Sequence, residues 1–429
     1  MEFQVKQELL QDIKRIIGEN IDLKKELCDE EIEEIITKAV FEKARETYIS
    51  VSEKQFLISY IFNAMRRLDI IQPLLDDHTV TEIMINGPND IFIEQEGRIS
   101  KLELSFESQE KLEDVIQSIV SKVNRTVNES SPMVEARLED GSRVSVVLQP
   151  IALNGPVLTI RKFPENPLTM EQLLACGSIN EQAAEVLERM VKARYNLFIC
   201  GGTGSGKTTF LNVLSNYIPA DERIVTIEDS AELQIVNVKN IVRLETRNAN
   251  TEGKGQITIR DLIRTSLRMR PDRIIVGEVR GGEALDMLQA MNTGHDGSLS
   301  TGHANSTKDM LSRLETMVLM ASAFPLEAIR QQITSALDVI IHLGRLRDKS
   351  RRVLEISEVA GYQDGEIKLN PLFVFQEEEE LEKESGNELS EELMGDKGTG
   401  DKVRGTLVRT GNPFLHPLKF KMSGISAEV

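Results

Sequence analysis

Residues 201–208 of the chain read GGTGSGKT, and this short segment restricts the possible folds more than any other feature. It is a complete match to the pattern G-x-x-x-x-G-K-[ST], in which glycines let backbone N–H groups surround phosphate oxygens. In that pattern the lysine adds a positive charge at the terminal phosphates, and the final hydroxyl ligates Mg²⁺. The residues predicted to contact the nucleotide are Gly201, Gly202, Thr203, Gly204, Ser205, Gly206, Lys207, Thr208 and Thr209.

The segments on either side favour a nucleotide site over a chance glycine-rich turn. Residues 195–200 are mostly apolar and predict a strand, whereas residues 209–214 predict the opening of a helix. A loop between a strand and a helix presents a phosphate to the positive end of the helix dipole. The sequence therefore predicts that the chain binds a nucleoside triphosphate.

The overall composition is typical of a multidomain globular protein. The 429 residues exceed what one ordinary core holds, and 40% of them are hydrophobic. No apolar run approaches the ~18–20 residues that span a bilayer. Because the N-terminus also lacks a signal-peptide layout, we expect a cytoplasmic protein. Three dispersed cysteines, Cys28, Cys176 and Cys200, argue against a disulfide framework and cannot form a four-cysteine zinc site.

The charge balance argues against one broad class of function. The net charge of −18 argues against general nucleic-acid binding, which needs clustered lysine and arginine to displace counterions. The chain has no tryptophan and few aromatic residues, so no base-stacking surface is evident. A local basic patch is compatible with this charge, but we expect no stable nucleic-acid binding.

Changes in sequence pattern divide the chain into six predicted segments. They are a helical N-terminal region (1–68), an α+β N-terminal domain (69–162), a hinge linker (163–167), an α/β domain with the phosphate loop (168–376), an acidic low-order insertion (377–398) and a C-terminal segment (399–429). We expect the proline-containing hinge to let the N-terminal domain rock over the nucleotide and gate hydrolysis. The helical region fits either an ordinary bundle or a docking module, and a surface loop is the favoured interpretation of the acidic stretch.

Apolar stretches alternate with helical patterns through the α/β domain. This alternation predicts a mostly parallel sheet with helices on both faces. Strands are predicted at 196–200, 223–228, 241–245, 273–277, 297–301 and 337–342.

Acidic residues follow two of these strands. Glu278 directly follows the strand 273–277 and is predicted to orient or activate the attacking water. The other group is Glu228, Asp229 and Glu232, and three carboxylates so close together are costly unless a cation compensates them.

A magnesium–nucleotide complex would supply that cation. Thr208, Glu228 and Asp229 are therefore the predicted Mg²⁺ ligands. The alternative is that Asp229 or Ser230 simply caps a following helix.

Two of the five histidines, His295 and His303, lie in one stretch rich in glycine, serine and threonine. Imidazole and hydroxyl groups there can donate to a γ-phosphate and respond to its loss. A turn that holds two satisfied histidines is an equal alternative on these residues alone. We expect no metal site at the histidines, because no third ligand follows at a suitable spacing.

Arginines are dense in both the α+β domain and the α/β domain. The planar fork of arginine bonds phosphate bidentately and keeps its charge. Most are expected to make surface contacts or ion pairs, whereas one or two that reach another domain's nucleotide would act as arginine fingers.

Taken together, four segments of the α/β domain indicate a family. GGTGSGKTT, TIEDSAELQ, RIIVGEVRGGEA and AMNTGHDGSLSTGHANS, in this order and at this spacing, resemble those of the secretion ATPases of type II secretion, type IV secretion and type IV pili. The resemblance covers roughly residues 70–375. Within it, LDDHTVTEIMINGPNDIFIEQEGRI, LEDGSRVSVVLQPIALNGPVLTIRKF and VRGTLVRTGNPF are most similar to the Tad/Flp (tight adherence) pilus assembly ATPase of the CpaF type.

The resemblance implies an α/β protein: a RecA-like P-loop ATPase motor domain, an α+β (PAS-like) N-terminal domain and an N-terminal helical bundle. It implies a cytoplasmic homo-hexamer that hydrolyses ATP with Mg²⁺. Such a ring docks on an inner-membrane platform protein, which makes it peripheral at that membrane, and it powers pilus extension, pilus retraction or secretion. By motif, Lys207 and Thr208 bind phosphate and Mg²⁺, Glu228, Asp229 and Glu232 form the acidic box, Glu278 is the Walker B acid, His295 and His303 form the histidine box, and Arg143 and Arg161 contact nucleotide.

Three alternatives stay open at this stage. A type IV secretion traffic ATPase shares the same motifs. A nucleic-acid translocase shares the RecA-like motor, although the acidic charge opposes it. A nucleotide-gated scaffold would bind ATP with little turnover. The branch of the family with a four-cysteine zinc module is disfavoured, because the chain has only three scattered cysteines.

Overall fold

The structure is a computed structural model that describes residues 7–20, 27–95, 97–123, 125–138, 140–163, 167–249, 254–377 and 403–426. The chain divides into two compact units, Met1–Glu165 and Asn166–Val429, and each is described by itself. Residues 164–166 of the predicted hinge and residues 378–398 of the predicted acidic insertion lie outside the described residues.

The N-terminal region is helical, as predicted. It contains α1 (Gln7–Asn20), α2 (Asp29–Glu46) and α3 (Val51–Arg66). Helix α3 begins after Ser50, because the Ser50 hydroxyl accepts from the Glu53 N–H while the Glu53 carboxylate accepts from the Ser50 N–H. Apolar side chains at helical spacing form one shared core, which includes Ile13, Ile17, Ile36, Val40 and Ile61.

The rest of the first unit is an α+β domain. Its elements are a 3₁₀ turn (Asp69–Ile71), α4 (Gln72–Asp76), β1 (Val80–Asn86), β2 (Ile91–Gln95), β3 (Arg98–Leu102), α5 (Gln109–Lys122), β4 (Met133–Arg137), β5 (Arg143–Val147) and β6 (Val157–Arg161). The six strands form an antiparallel sheet in the order β3-β2-β1-β6-β5-β4. Leu112 and Ile116 of α5 lie in the same core as Ile83 and Leu158 of the sheet, so the helix covers one face.

The second unit alternates strand and helix. Its elements are α6 (Met170–Ala175), α7 (Glu181–Lys192), β7 (Leu197–Gly201), α8 (Lys207–Ser215), β8 (Arg223–Glu228), β9 (Asn240–Glu245), α9 (Ile259–Ser266), β10 (Arg273–Val276), α10 (Glu283–Asn292), β11 (Leu299–His303), α11 (Thr307–Ala321), α12 (Leu326–Ala336), β12 (Val339–Arg345), β13 (Arg351–Gln363), β14 (Glu366–Glu377), β15 (Gly405–Arg409) and α13 (Leu418–Met422). They form one nine-stranded sheet in the order β15-β14-β13-β12-β7-β11-β10-β8-β9. The six strands from β12 to β9 are parallel, as the predicted RecA-like motor requires.

The sheet is mostly parallel, as predicted, and an antiparallel end extends it. Strands β13, β14 and β15 pair in antiparallel fashion beyond β12. Strand β15 lies within 399–429, which the acidic stretch before it predicts to be a separate segment. Val408 of β15 instead pairs with Val374 of β14, so the C-terminal segment completes the sheet edge.

Helices cover both faces of the sheet, as predicted. Leu187 of α7 and Leu211 of α8 share one buried cluster, whereas Leu288 of α10 and Leu314 of α11 share the other. Strands covered on both faces become continuous apolar runs, and β7 is buried along its whole length. Within the described part of the chain, no helix is both long and apolar enough to cross a bilayer.

Candidate active site

The phosphate loop joins β7 to α8, and its glycines adopt backbone conformations that other residues avoid. Gly204 and Gly206 have φ values of 71° and 91°, in the left-handed region. A Cβ on Gly201 would lie 2.3 Å from the carbonyl oxygen of Leu343 in neighbouring β12, so no side chain fits there. The loop therefore has the cradle that brings backbone N–H groups to phosphate, and it fits the predicted triphosphate.

Lys207 is the first residue of α8, and its side chain is buried against the loop. Its ammonium donates to the carbonyl oxygen of Gly202 over 3.0 Å, and the Ser205 hydroxyl donates to the same oxygen over 2.9 Å. Burial disfavours the charged amine and lowers the pKa of Lys207, while Glu278 acts in the opposite direction. An anionic phosphate in the loop would favour the charged form of this lysine, as its predicted role requires.

His303 ends β11 and connects the lysine to Glu278. Strand β11 lies between β7 and β10, and parallel strands bring their carboxyl ends to one edge of the sheet. His303 Nε2 lies 2.8 Å from Glu278 Oε1, and His303 Nδ1 lies 3.4 Å from Lys207 Nζ. A neutral ring whose Nδ1 accepts from the Lys207 ammonium suits the second contact, whereas Nε2 lies close to Glu278 Oε1 without a hydrogen bond to it. Burial, followed by the charge of Lys207, lowers the pKa of His303 and favours this neutral form.

Arg280 supplies a cation beside the acidic residues. Its Nη2 lies 2.7 Å from Glu278 Oε2, and its Nη1 lies 3.5 Å from Asp229 Oδ2. The charge compensation that the sequence assigns to Mg²⁺ is thus supplied in part by this guanidinium. The sequence motifs do not single out Arg280, although its position two residues after Glu278 is compatible with a contact to that carboxylate.

Glu228 stabilises the backbone that follows β8. It is 3% exposed, and its Oε2 accepts from the N–H groups of Glu232 and Leu233 over 2.7 and 3.1 Å. Residues 229–239 contain no helix, so the alternative that Asp229 caps one is wrong. Strand β8 lies three positions from β7, about 14 Å at ~4.8 Å per strand. The structure therefore shows Asp229 beside Arg280 and Glu228 bound to its own turn.

His295 lies at the opposite edge of the sheet from His303. It precedes β11, and its Nδ1 lies 3.1 Å from the carbonyl oxygen of Ala290. The whole length of β11 separates the two histidines. Within one chain the structure brings only His303 to the phosphate loop, and the alternative of a locally satisfied histidine describes His295.

The hydroxyl groups of the loop can take part in metal binding. Thr203 is exposed in the loop, whereas Thr208 and Thr209 are half-buried in the first turn of α8. The described ranges contain no group of three or more His, Cys, Asp or Glu side chains that could hold a metal ion. A single hydroxyl beside the phosphates nevertheless suits Mg²⁺, which keeps several waters and takes few protein ligands. Direct ligation by Glu228 or Asp229 stays a prediction.

Arg143 and Arg161 of the first unit are cross-strand partners on β5 and β6. Arg143 also pairs with Arg137 of β4, and Arg161 pairs with Glu82 of β1. Directly paired residues share one face, so the three guanidinium groups form a row that ends at a carboxylate. Like charges side by side favour an anionic ligand, and contact of Arg143 and Arg161 with nucleotide stays a prediction.

Comparison with known proteins identifies relatives of the whole motor. A family model described as "Type II/IV secretion system protein" matches residues 64–391. A putative conjugal transfer protein of Mycobacterium tuberculosis is 34% identical over 294 residues, which is 67% of this chain and 83% of that protein. The type IV secretion system protein PtlH of Bordetella pertussis is 32% identical over 325 residues, or 70% of this chain and 94% of PtlH.

Among solved structures, the VirB11 ATPase of the Brucella suis type IV secretion system matches with a TM-score of 0.38 and 29% identity. The match covers 67% of this chain and 95% of VirB11. The family assignment depends on the family model and the sequence relatives, and not on this structural likeness.

Proposed function

The chain belongs to the type II/IV secretion system protein family and is an ATP-hydrolysing enzyme, and on this basis we propose that it is a ring-forming motor for pilus assembly or secretion. In this proposal the working form is a cytoplasmic homo-hexamer, peripheral at the inner membrane through a platform protein. The resemblance of its motifs favours the Tad/Flp pilus assembly ATPase of the CpaF type. The names of the relatives support the alternative, a type IV secretion traffic ATPase.

One observation supports the catalytic part of the proposal above all others. A continuous set of contacts runs from Lys207 through His303 to Glu278, and on through Arg280 to Asp229. The lysine ammonium is the group that meets the terminal phosphates of ATP. A change of charge at those phosphates is therefore transmitted to the strand-terminal acid through a single imidazole.

Each side chain has a distinct part in hydrolysis. The Glu278 carboxylate orients a water and accepts its proton as the water oxygen bonds the γ-phosphorus and the bond to the ADP oxygen breaks. Arg280 holds the second oxygen of Glu278, so the carboxylate keeps one orientation. Thr208 would ligate Mg²⁺, which neutralises phosphate charge when bound.

The test is Mg²⁺-dependent ATP hydrolysis by the purified full chain. Lys207→Ala should abolish hydrolysis, and Glu327→Gln on the exposed start of α12 should not change it. Full hydrolysis by Lys207→Ala would make the site assignment wrong. Equal single-turnover rates for wild type and Glu278→Gln would favour a nucleotide-gated scaffold instead.

Assembly and partners need separate measurements. Sedimentation with and without a non-hydrolysable ATP analogue should show a nucleotide-stabilised hexamer, and a monomer in both states contradicts the ring. Salt-sensitive stimulation by DNA or RNA would favour a nucleic-acid translocase. Movement on the linker 163–167 stays a prediction, and an unchanged interdomain distance on adding the analogue would rule it out.

A further inference from the structure

The hairpin between β12 and β13 places two arginines beside the phosphate loop. Leu343 of β12 pairs with Gly201 of β7, so the hairpin leaves the sheet where the loop begins. Arg345 and Arg351 are partners across this hairpin. Nη1 of Arg345 lies 3.8 Å from the position of a Cβ on Gly204. Sequence reasoning assigns neither arginine to the nucleotide site.

Arg351 makes the direct contact. Its Nε donates to the carbonyl oxygen of Gly204 over 2.9 Å. That oxygen and the N–H of Ser205 share one planar peptide group and point in opposite directions. Glycine has the largest backbone freedom of any residue. Holding the Gly204 oxygen therefore fixes the direction of the Ser205 N–H, which in this structure donates to the carbonyl oxygen of Gly202 over 3.4 Å.

The hairpin that bears Arg351 is itself anchored. At its turn, the N–H and the hydroxyl of Ser350 donate to Asp348 Oδ1 over 2.9 and 2.6 Å. The other oxygen, Oδ2, accepts from the N–H of Val403 over 3.0 Å. Arg347 forms an ion pair with Glu377 at the end of β14. Arg351 is thus held by an element tied to the end of β14 and to the segment that leads into β15.

We propose that Arg351 is a positioning residue of the phosphate loop, which presets the peptide between Gly204 and Ser205 for the phosphates of the bound nucleotide. This inference rests on the proposed nucleotide binding at the loop. A preset peptide serves the ground state and the transition state equally, so its loss weakens binding and leaves the chemical step unchanged. Arg351 acts through the loop backbone, in contrast to Lys207, whose charge meets the phosphates.

The experiment compares four variants of the full chain: Arg351→Met, Arg351→Lys, Arg345→Met and Lys349→Met. Calorimetry gives the Kd of Mg–ADP, steady-state assays give kcat and KM for ATP, and thermal unfolding without nucleotide checks the fold. Arg351→Met should raise the Kd about tenfold, which corresponds to about 1.4 kcal/mol. Its KM should rise in parallel, with kcat within about twofold of wild type. Lys349→Met, at the exposed turn of the same hairpin, should leave all three constants unchanged.

The remaining outcomes separate positioning from charge. Arg345→Met removes the same charge at the same glycine. An equal rise of the Kd in Arg351→Met and Arg345→Met would therefore overturn the proposal. An unchanged Kd in Arg351→Met, or a lower kcat with an unchanged KM, would overturn it as well. If Arg351→Met does not fold, Arg351→Lys decides, because it keeps the charge but lacks Nε–H. A Kd equal to wild type would then exclude positioning, and a rise of at least threefold would support it.

A wild-type chain that binds ADP but does not hydrolyse ATP would contradict the proposed function. The Kd comparison would still test the role of Arg351, because it measures ADP binding alone.

Discussion

His303 Nε2 lies 2.8 Å from Glu278 Oε1, and its other ring nitrogen lies 3.4 Å from the ammonium of Lys207. The imidazole therefore stands between the phosphate-loop cation and the acid that we assign to the attacking water. The contact with Lys207 needs a neutral ring, since Nδ1 must accept from the ammonium. The protonation state of His303 should therefore affect the activity of the site.

We expect ATP hydrolysis to fall on the acid side of neutrality through His303. Burial and then the charge of Lys207 lower its pKa from the ordinary 6.5. The neutral ring accepts from Lys207. As the pH falls through the lowered pKa, the ring becomes protonated and that contact is lost. By linkage, the stability due to this neutral ring is present above 6.5 and is lost as the pH falls through the lowered pKa.

The measurement is kcat/KM against pH for wild type and His303→Gln. The variant should be slower at pH 7 and should lack the acid-side decline due to His303. An identical decline in both proteins would assign it to another group. His295→Gln is the matched control, because the ring of His295 bonds Ala290 at the far edge of the sheet, and its profile should follow wild type.

Glu278→Gln should lower kcat about 10²- to 10³-fold, the usual contribution of a positioned general base. The KM for ATP should change little, because the carboxylate acts on the water rather than on the nucleotide. Quenched-flow single turnovers distinguish slow chemistry from slow product release. A kcat within threefold of wild type would remove Glu278 from the role of base.

Local patterns predict the positions of Lys207 and Glu278 well, because each follows a buried strand. The change from an apolar strand to a polar loop is evident from the neighbouring residues. The parallel motor sheet follows from the same alternation. What those patterns lack is the order of strands across the sheet. Strand β11 enters between β7 and β10, and this non-local pairing brings His303 to the site.

The two histidines show the limit of reading a motif as a unit. His295 and His303 are eight residues apart in sequence, but the extended strand β11 separates them along the strand direction. Arg351 illustrates the opposite case, because it is 147 residues from Gly204 and meets it through the β12–β7 pairing. The separation of the two histidines follows from the strand predicted at 297–301, whereas the contact of Arg351 with Gly204 depends on which strands become neighbours.

The motor core should depend strongly on a buried ion pair. Arg273 is fully buried; its Nε bonds Glu222 Oε2 over 2.6 Å and its Nη2 bonds Oε1 over 2.9 Å. Burial alone would raise the pKa of Glu222, but Arg273 outweighs it and the pKa is lowered. The stability due to this carboxylate is thus present above pH 4.5 and is lost as the pH falls through the lowered value.

Glu222→Gln should lower the free energy of unfolding by about 3–5 kcal/mol, because it leaves the guanidinium buried without a counter-charge. Urea denaturation at pH 7 measures this loss. Glu188→Gln is the control, since Glu188 forms an exposed pair with Lys192 and should cost less than about 1 kcal/mol. Similar losses in the two variants would show that the buried pair stabilises the fold no more than the exposed pair does.

Two adjacent glycines of the phosphate loop should differ sharply in their tolerance of alanine. A Cβ on Gly201 would lie 2.3 Å from the Leu343 carbonyl oxygen and 2.6 Å from Ser205 Oγ, and the first of these is backbone that cannot move without disturbing β12. A Cβ on Gly202 meets nothing within 4 Å, and Gly202 has no positive φ. Gly201→Ala should therefore displace the loop and weaken Mg–ADP binding at least tenfold, whereas Gly202→Ala should stay within about threefold of wild type. Calorimetric titration, together with thermal unfolding to confirm that both variants fold, makes the comparison. Equal affinities would mean that the loop does not need the close approach of β7 to β12 in order to bind phosphate.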